Sequence, residues 1–269
     1  MDEIAAFNQS QWDELAGKGV EFARPLLNLT PDSARAVVDP HRLLGDLAGK
    51  DVLCLASGGG QQSAAFLVLG ARVQVLDLSA AMLERDRQAA NHYQAEIGIH
   101  QGDMRDLSRF DSASFDVVWQ AYSINFVPDP RPVFNEVTRV LRPGGLYHLD
   151  FHNPFVSSVL ETSWNGTGYL IGEPYIDGAE LPETPWEFED EHGVIQRAHG
   201  PRAFRHNLST IINELTGRGF VILGLWEETG QNPEAEPGSW DHYLLVAPPI
   251  LTLWLACRPE VMGGLPKPK

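Results

Sequence analysis

The chain has 269 residues, is 43% hydrophobic, and sets 36 Asp and Glu against 20 Lys and Arg for a formal charge of -16. That length buries a substantial core, most simply in one domain with an embellishment, and the acidic balance argues against nucleic acid as a partner. The opening Met1-Asp-Glu-Ile-Ala lacks the apolar core of a secretory signal and no apolar run is long enough to span a bilayer; Cys54 and Cys257 lie in apolar strand-like runs, which predicts buried thiols in a cytoplasmic protein.

Glu3 to Ala16 has a helical pattern (Ile4, Phe7, Trp12, Leu15) that Gly17 and Gly19 break. It reads either as a plain surface helix or as a flap over a site with Trp12 as its anchor. Pro31 begins a second short helix, and residues 40–49 lead into Val52 to Ala56, an apolar run of strand length. Gly58, Gly59 and Gly60 end that run, and helical spacing resumes across Ala64, Ala65, Leu67, Val68 and Leu69. Arg72 to Asp77 is a second strand ending in a carboxylate. Ser79 caps a helix running to about Glu96, with Ala80, Met82, Leu83 and Ala89 on its apolar side. Within it Arg85-Asp-Arg87 reads as a solvated face, as does the stretch Arg202 to Arg205.

Ile97 to His100 is a third strand, followed by Gly102-Asp103-Met104. Phe115 to Gln120 is a fourth, continuing into Ala121-Tyr-Ser-Ile-Asn-Phe126. Val133, Phe134, Val137, Val140 and Leu141 make an amphipathic helix closed by Arg142-Pro-Gly-Gly145, and Leu146 to Phe151 is the fifth strand. From Asn153 to about Arg202 there is no clear period, but there are five aromatics: Trp164, Tyr169, Tyr175, Trp186 and Phe188. A loop-rich insertion of that length predicts a lid or binding element. Asn207 to Arg218 is a helix, Phe220 to Trp226 the sixth strand, Ser239 caps a short helix through Val246, and Ile250 to Arg258 is the last strand. The Pro/Lys tail after Met262 is expected to be disordered. The expected division is a helical cap over 1–45, a cofactor-binding core over 46–152, a lid over 153–203 and a C-terminal helix with strands over 204–262.

Strand, glycine turn, helix, strand and terminal acid describe a nucleotide-type site at the carboxyl edge of a parallel sheet. Nicotinamide enzymes and methyltransferases share that pattern. Val52-Leu-Cys-Leu-Ala-Ser-Gly-Gly-Gly60, Val75-Leu-Asp77-Leu-Ser79, Gly102-Asp103-Met104, Phe115-Asp-Val-Val-Trp119 and Leu141-Arg-Pro-Gly-Gly145, in that order, resemble the class I S-adenosylmethionine-dependent methyltransferases acting on small molecules. The resemblance covers about residues 45 to 152 and, more weakly, His206 to Arg258. It implies a Rossmann-like α/β fold with a doubly wound seven-stranded sheet, order 3-2-1-4-5-7-6, last strand antiparallel. It also implies S-adenosylmethionine as cofactor: backbone from Ser57 through Gly58 and Gly59 to Gly60 along methionine and ribose, Asp77 on both ribose hydroxyls, Asp103 on the adenine amino group, Leu78 and Met104 on the ring. Met82 joins the cofactor wall, Gln120 and Ala121 line the sulfonium side, and Trp12 sits on a helix that closes over the cofactor. Two positions depart from the family pattern, Cys54 where an acid is usual and Ala56 where glycine is usual, which alters the anchoring of the methionine end.

Methyl transfer rests mainly on holding a nucleophile in line with the methyl group, with a base helping a hydroxyl acceptor. His152 and Tyr122 are the candidates for catalysis, at the correct edge of the sheet, with His206 and Asn125 as weaker substrate contacts. His148 has no second ligand at metal spacing, so no metal is expected. The alternatives are a degenerate fold that binds the cofactor without catalysing and, less favoured, an NAD(P)-dependent oxidoreductase. The latter wants a glycine where Ser63 stands, and the only lysines (Lys18, Lys50, Lys267 and Lys269) lie outside the candidate catalytic segments.

Overall fold

The computed structural model describes residues 2–160, 163–183, 185–190 and 192–258; the expected tail after Met262 lies outside them. The central strands form because short apolar runs are buried on both faces of a mostly parallel sheet. β1 (Asp51–Leu55) pairs in parallel with β2 (Arg72–Asp77) and with β4 (Phe115–Gln120), β2 pairs with β3 (Ile97–Gln101), and β4 with β5 (Leu141–His152). β9 (Ile250–Cys257) is antiparallel to both β5 and β8 (Phe220–Glu227). The sheet order β3-β2-β1-β4-β5-β9-β8 is the expected 3-2-1-4-5-7-6, because β6 (Pro185–Glu189) and β7 (Ile195–His199) form a separate two-stranded hairpin.

Alternation along β1 shows how the layers are divided. Leu53 and Leu55 face a core closed by α5 (Arg131–Val140) and α6 (Leu208–Gly217). Val52 and Cys54 face the opposite core, closed by α2 (Pro31–Val38), α3 (Gln62–Val68) and α4 (Ala80–His92). Both cysteines are free thiols, on strands β1 and β9 that β4 and β5 separate. No helix among the described residues is long and apolar enough to cross a membrane.

Several expectations need correction. The helix from Ser79 stops at His92 because Gln94 takes a left-handed φ of 53°, and the Ala95 N–H reaches back to the Ala90 carbonyl at 3.0 Å, a helix-ending geometry. Arg142-Pro-Gly-Gly145 is a bulge inside β5 and not a turn before it: register jumps from Phe115 opposite Leu141 to Val117 opposite Leu146. Strand four does not continue past Gln120; a short 3₁₀ turn at Ile124–Phe126 takes over. The insertion holds the β6–β7 hairpin, whose Trp186 and Phe188 pack on Leu15 and Val20 at the end of α1 (Glu3–Gly17). Neither basic stretch is a plain solvated face, since Asp86 and Arg205 are both buried. Arg205 donates from Nε to Ser157 Oγ at 2.8 Å and from Nη1 to the Pro174 carbonyl.

Candidate active site

The carboxyl ends of β1, β2, β3 and β4 open into one cavity of about 530 Å³. Ala56, Ser57 and Gly58 leave β1 along its floor, Asp77 and Leu78 end β2, Asp103 and Met104 follow β3, and Ala121 and Tyr122 follow β4. α1 is the roof. Its Asn8 donates from Nδ2 to the carbonyls of Phe126 and Arg202 at 3.0 and 3.1 Å and accepts the Arg202 N–H at 2.8 Å. Asp13 on the same helix accepts from Ser79 Oγ at 2.5 Å and from the Ala81 N–H at 3.2 Å. α1 is thereby held at both its sides. Trp12 points from it into the cavity and meets Phe22, Phe126 and Trp186 edge-on at 5.7, 5.3 and 5.9 Å.

Asp77 is buried, and each carboxylate oxygen accepts one backbone N–H: Oδ2 from Gly58 and Oδ1 from Ser79, both at 2.9 Å. Burial outweighs these bonds and raises its pKa above the ordinary carboxylate value. A carboxylate has lone pairs beyond two such bonds, so both oxygens retain acceptor capacity toward the cavity. Ser57 Oγ is buried in the floor, where the Cys54 thiol is its polar neighbour and no regular hydrogen bond satisfies it. At Gly58 a Cβ would stand 3.0 Å from Asp77 Oδ2 and 2.8 Å from the Met82 Cβ, so glycine keeps the floor open beside the acid. An open acid-edged cradle with an orphaned hydroxyl beside it fits a nucleoside with polar ribose hydroxyls. Asp103 is already held: Arg105 meets Oδ1 with Nε at 3.0 Å and Oδ2 with Nη2 at 2.5 Å, and also reaches Asp2 at 2.6 Å.

Nine of the twelve cofactor candidates thus reach the cavity wall: Ser57, Gly58, Asp77, Leu78, Met82, Asp103, Met104, Ala121 and Trp12. Three do not. A Cβ on Gly59 would lie 2.5 Å from the Phe22 carbonyl oxygen, and one on Gly60 2.6 Å from that of Arg85; these glycines serve packing behind the loop. Gln120 is fully buried behind the wall, accepting from Tyr147 Oη at 2.6 Å and donating to Ser123 Oγ at 3.0 Å.

Tyr122, of the two catalytic candidates, lines the cavity, and burial pushes its phenol well above its ordinary value, so it stays protonated. His152 lies instead in an adjoining cavity of about 570 Å³ that shares Tyr122, Phe126 and Trp186 with the first as a common wall. Burial, aided by the positive charge of Arg205, lowers its imidazole to about 4, so it is neutral at pH 7. Its ring centroid is 5.8 Å from that of Tyr122. The weaker candidates are braces: His206 Nε2 bonds the carbonyls of Ile124 and Val127 at 3.2 and 3.0 Å, and Asn125 bonds the Phe204 carbonyl and the His152 N–H at 2.9 and 2.8 Å. No group of three His, Cys, Asp or Glu among the described residues is placed to hold a metal.

Sequence reasoning missed Arg105, Asn8 and Asp86. The acid–x–Arg spacing at Asp103 was a visible signal for Arg105; Asn8 and Asp86 gave none, because a polar residue on a helix reads as solvated until the packing around it is known.

A sequence profile described as a methyltransferase domain matches residues 53–149. The uncharacterized methyltransferase YbaJ of Bacillus subtilis is 31% identical over 245 residues, 86% of this chain and 92% of that one. A ubiquinone biosynthesis O-methyltransferase of Xanthomonas oryzae is 31% identical over 57% of this chain and 60% of its own. Among solved structures, an S-adenosylmethionine-dependent methyltransferase from Mesorhizobium loti superposes with a TM-score of 0.61 at 23% identity, over 86% of this chain and 100% of that one. Sheet order, an acid-edged cradle at the strand ends and near full-length likeness to a methyltransferase converge, and the chain belongs to the class I S-adenosylmethionine-dependent methyltransferase family.

Proposed function

We propose that this protein, in the cytoplasm, transfers the methyl group of S-adenosylmethionine to a small-molecule acceptor, the cofactor filling the first cavity and the acceptor the second. The observation that carries this reading is the pair of cavities meeting at Tyr122, Phe126 and Trp186: one has the acid-edged cradle, the other the neutral imidazole of His152. When bound, the cofactor supplies a sulfonium methyl whose bond pair returns to sulfur as an acceptor lone pair takes the carbon.

The residues do the rest. Asp77 takes both ribose hydroxyls, Ser57 and Gly58 lie along the methionine–ribose link, Leu78 and Met104 flank the adenine, and Asp103 meets its amino group while Arg105 holds it. Ala121 and Tyr122 face the sulfonium, and Tyr122 keeps water from it. Gln120 acts from behind by fixing Ser123 and Met104, to whose Sδ it donates at 3.3 Å. His152 receives the proton of a hydroxyl or amine acceptor, a task open to it because it is neutral at pH 7. Segment 153–203 covers the acceptor as a lid. The acceptor's aromatic or apolar body suits Phe7, Val159, Leu160 and Leu181 of the second cavity, and the quinone-precursor chemistry named for the Xanthomonas relative is one instance of that class.

Titration calorimetry with S-adenosylmethionine and S-adenosylhomocysteine on wild type and Asp77→Ala tests the cofactor half. Two hydrogen bonds to a carboxylate at about 1.5–3 kcal/mol each predict a loss of at least about a hundredfold in affinity. Unchanged affinity in a folded Asp77→Ala would show the ribose to be elsewhere.

A further inference from the structure

Three successive backbone N–H groups of the glycine loop end on two buried carboxylates. Gly58 donates to Asp77, as described; Gly59 donates to Asp86 Oδ2 and Gly60 to Asp86 Oδ1, both at 3.2 Å. Ser63, at the first turn of α3, adds its hydroxyl to Asp86 Oδ1 at 2.5 Å. Asp86 stands in the middle of α4 with no exposed surface and does not line the cofactor cavity. We propose that Asp86 is a positioning residue for the methyl donor: it clamps the glycine loop from below, and the donor's affinity follows the ionisation of this carboxylate, which the donor never touches. This assignment rests on the first cavity being the cofactor's.

The surroundings of Asp86 define its behaviour. Asp77 faces it from β2 and Cys54 from β1, and Ser63 contacts it from α3, while Asp13 of α1 acts on Asp77 and is itself bound to Ser79. The nearby cations look elsewhere: Arg85 reaches the Ala16 carbonyl and Gln88, and Arg24 reaches the carbonyls of Gly19 and Glu189. No ion pair among the described residues neutralises Asp77 or Asp86. Ionised, Asp86 receives the two loop N–H groups in charge-assisted bonds. Protonated, it receives them weakly, and buried N–H groups left so poorly served are costly. The loop floor beside Gly58 then loosens. Burial, with Asp77 adding to it, raises the Asp86 pKa to about 7, so both forms are populated near neutrality.

The direction follows by linkage. A donor that requires the ionised clamp drives the proton off Asp86 when it binds, so affinity rises with pH through about 7 and falls below it, by up to about tenfold per pH unit for one coupled proton. Ser63 stabilises the ionised form, so its removal moves the midpoint upward.

The test is titration calorimetry of the full chain with S-adenosylmethionine and S-adenosylhomocysteine from pH 5.5 to 8.5, in buffers of different ionisation enthalpy. Wild type is expected to tighten by about tenfold between pH 6 and 8 and to release a proton on binding near pH 6.5. Asp86→Asn, checked for folding by its thermal melt, is expected to lose both the slope and the proton release. Ser63→Ala keeps the acid and shifts the midpoint to higher pH, and it decides the matter if Asp86→Asn does not fold. A flat wild-type profile, an unchanged slope in folded Asp86→Asn, or an unmoved midpoint in Ser63→Ala overturns the proposal. Wild type that binds neither compound at any pH overturns the cofactor site itself. Binding with the expected slope but no turnover over a broad acceptor panel overturns methyl transfer and leaves the role of Asp86 standing.

Discussion

Ala56 carries strain that its neighbours do not. It is the residue where β1 passes into the glycine loop, its N–H is fixed to the Leu76 carbonyl at 2.7 Å, and its φ is 45°. An L-residue in the left-handed region costs about 1–2 kcal/mol, because its Cβ crowds the following carbonyl. Ala56→Gly removes that cost but adds unfolded-state entropy of about 0.5–1 kcal/mol. A net gain of about 0.5–1 kcal/mol is expected, seen in thermal denaturation as a Tm higher by about 1–4 °C; a lower Tm would mean that the conformation is stored without strain. Cys54, two residues earlier, is quiet by comparison. Burial and the nearby charge of Asp86 push its thiol well above the ordinary value, so it acts as a small apolar side chain of the core.

The elements that make the site differ in how readily the chain declares them. α1 is capped by Asp2, whose side chain accepts the Ala5 N–H at 2.9 Å, and its Trp12 is the centre of the aromatic roof formed with Phe22, Phe126 and Trp186. Trp12→Ala removes three edge-on contacts worth about 0.5–1.5 kcal/mol each and opens the cavity to water. Cofactor affinity is therefore expected to fall about tenfold or more, measured by calorimetry, while the circular dichroism of the sheet is retained; unchanged affinity would make α1 a plain surface helix. The central strands β1 and β4 were legible because burial on both faces writes most of their length as apolar residues, β2 because its apolar residues alternate, and the acid at Asp77 because it ends β2. The β6–β7 hairpin was hidden for the opposite reason. Trp186-Glu-Phe188-Glu alternates as a strand should, but only half of the ribbon is apolar, and it finds its core on α1, far away in sequence. Asp86 between two arginines looked solvated because nothing local says that the glycine loop lies over that face of α4. Ser63, which counted only as a missing glycine in a dinucleotide fingerprint, proves to be one of that acid's three donors.

At the scale of the molecule, acids outnumber cations, and many of the cations among the described residues are held in ion pairs. Arg142 joins Asp51 and Asp116 at 2.8 Å each, tying the starts of β1 and β4 across the β5 bulge, while Arg72 takes the other side of Asp51 at 2.7 Å. Arg139 holds Glu136 at 2.7 Å, Arg202 holds Glu180 at 2.6 Å, and Arg218 holds Glu214. The formal charge of -16 is an excess of carboxylates, and their mutual repulsion acts against the compact state. Salt weakens the attraction within pairs and the repulsion between acids alike. Exposed pairs such as Arg72–Asp51 contribute little to stability and lose part of that when screened. The repulsion, summed over many longer distances, is screened more completely as the Debye length falls from about 30 Å at 0.01 M to about 8 Å at 0.15 M. In a chain of so one-sided a charge the repulsion outweighs the pairing, so raising NaCl over that range is expected to raise Tm by about 2–4 °C for each kcal/mol of repulsion removed. Differential scanning calorimetry at constant pH measures it. A fall in Tm would reverse the ranking and show that the arginine clamps at the strand starts stabilise the fold by more than the excess acids destabilise it.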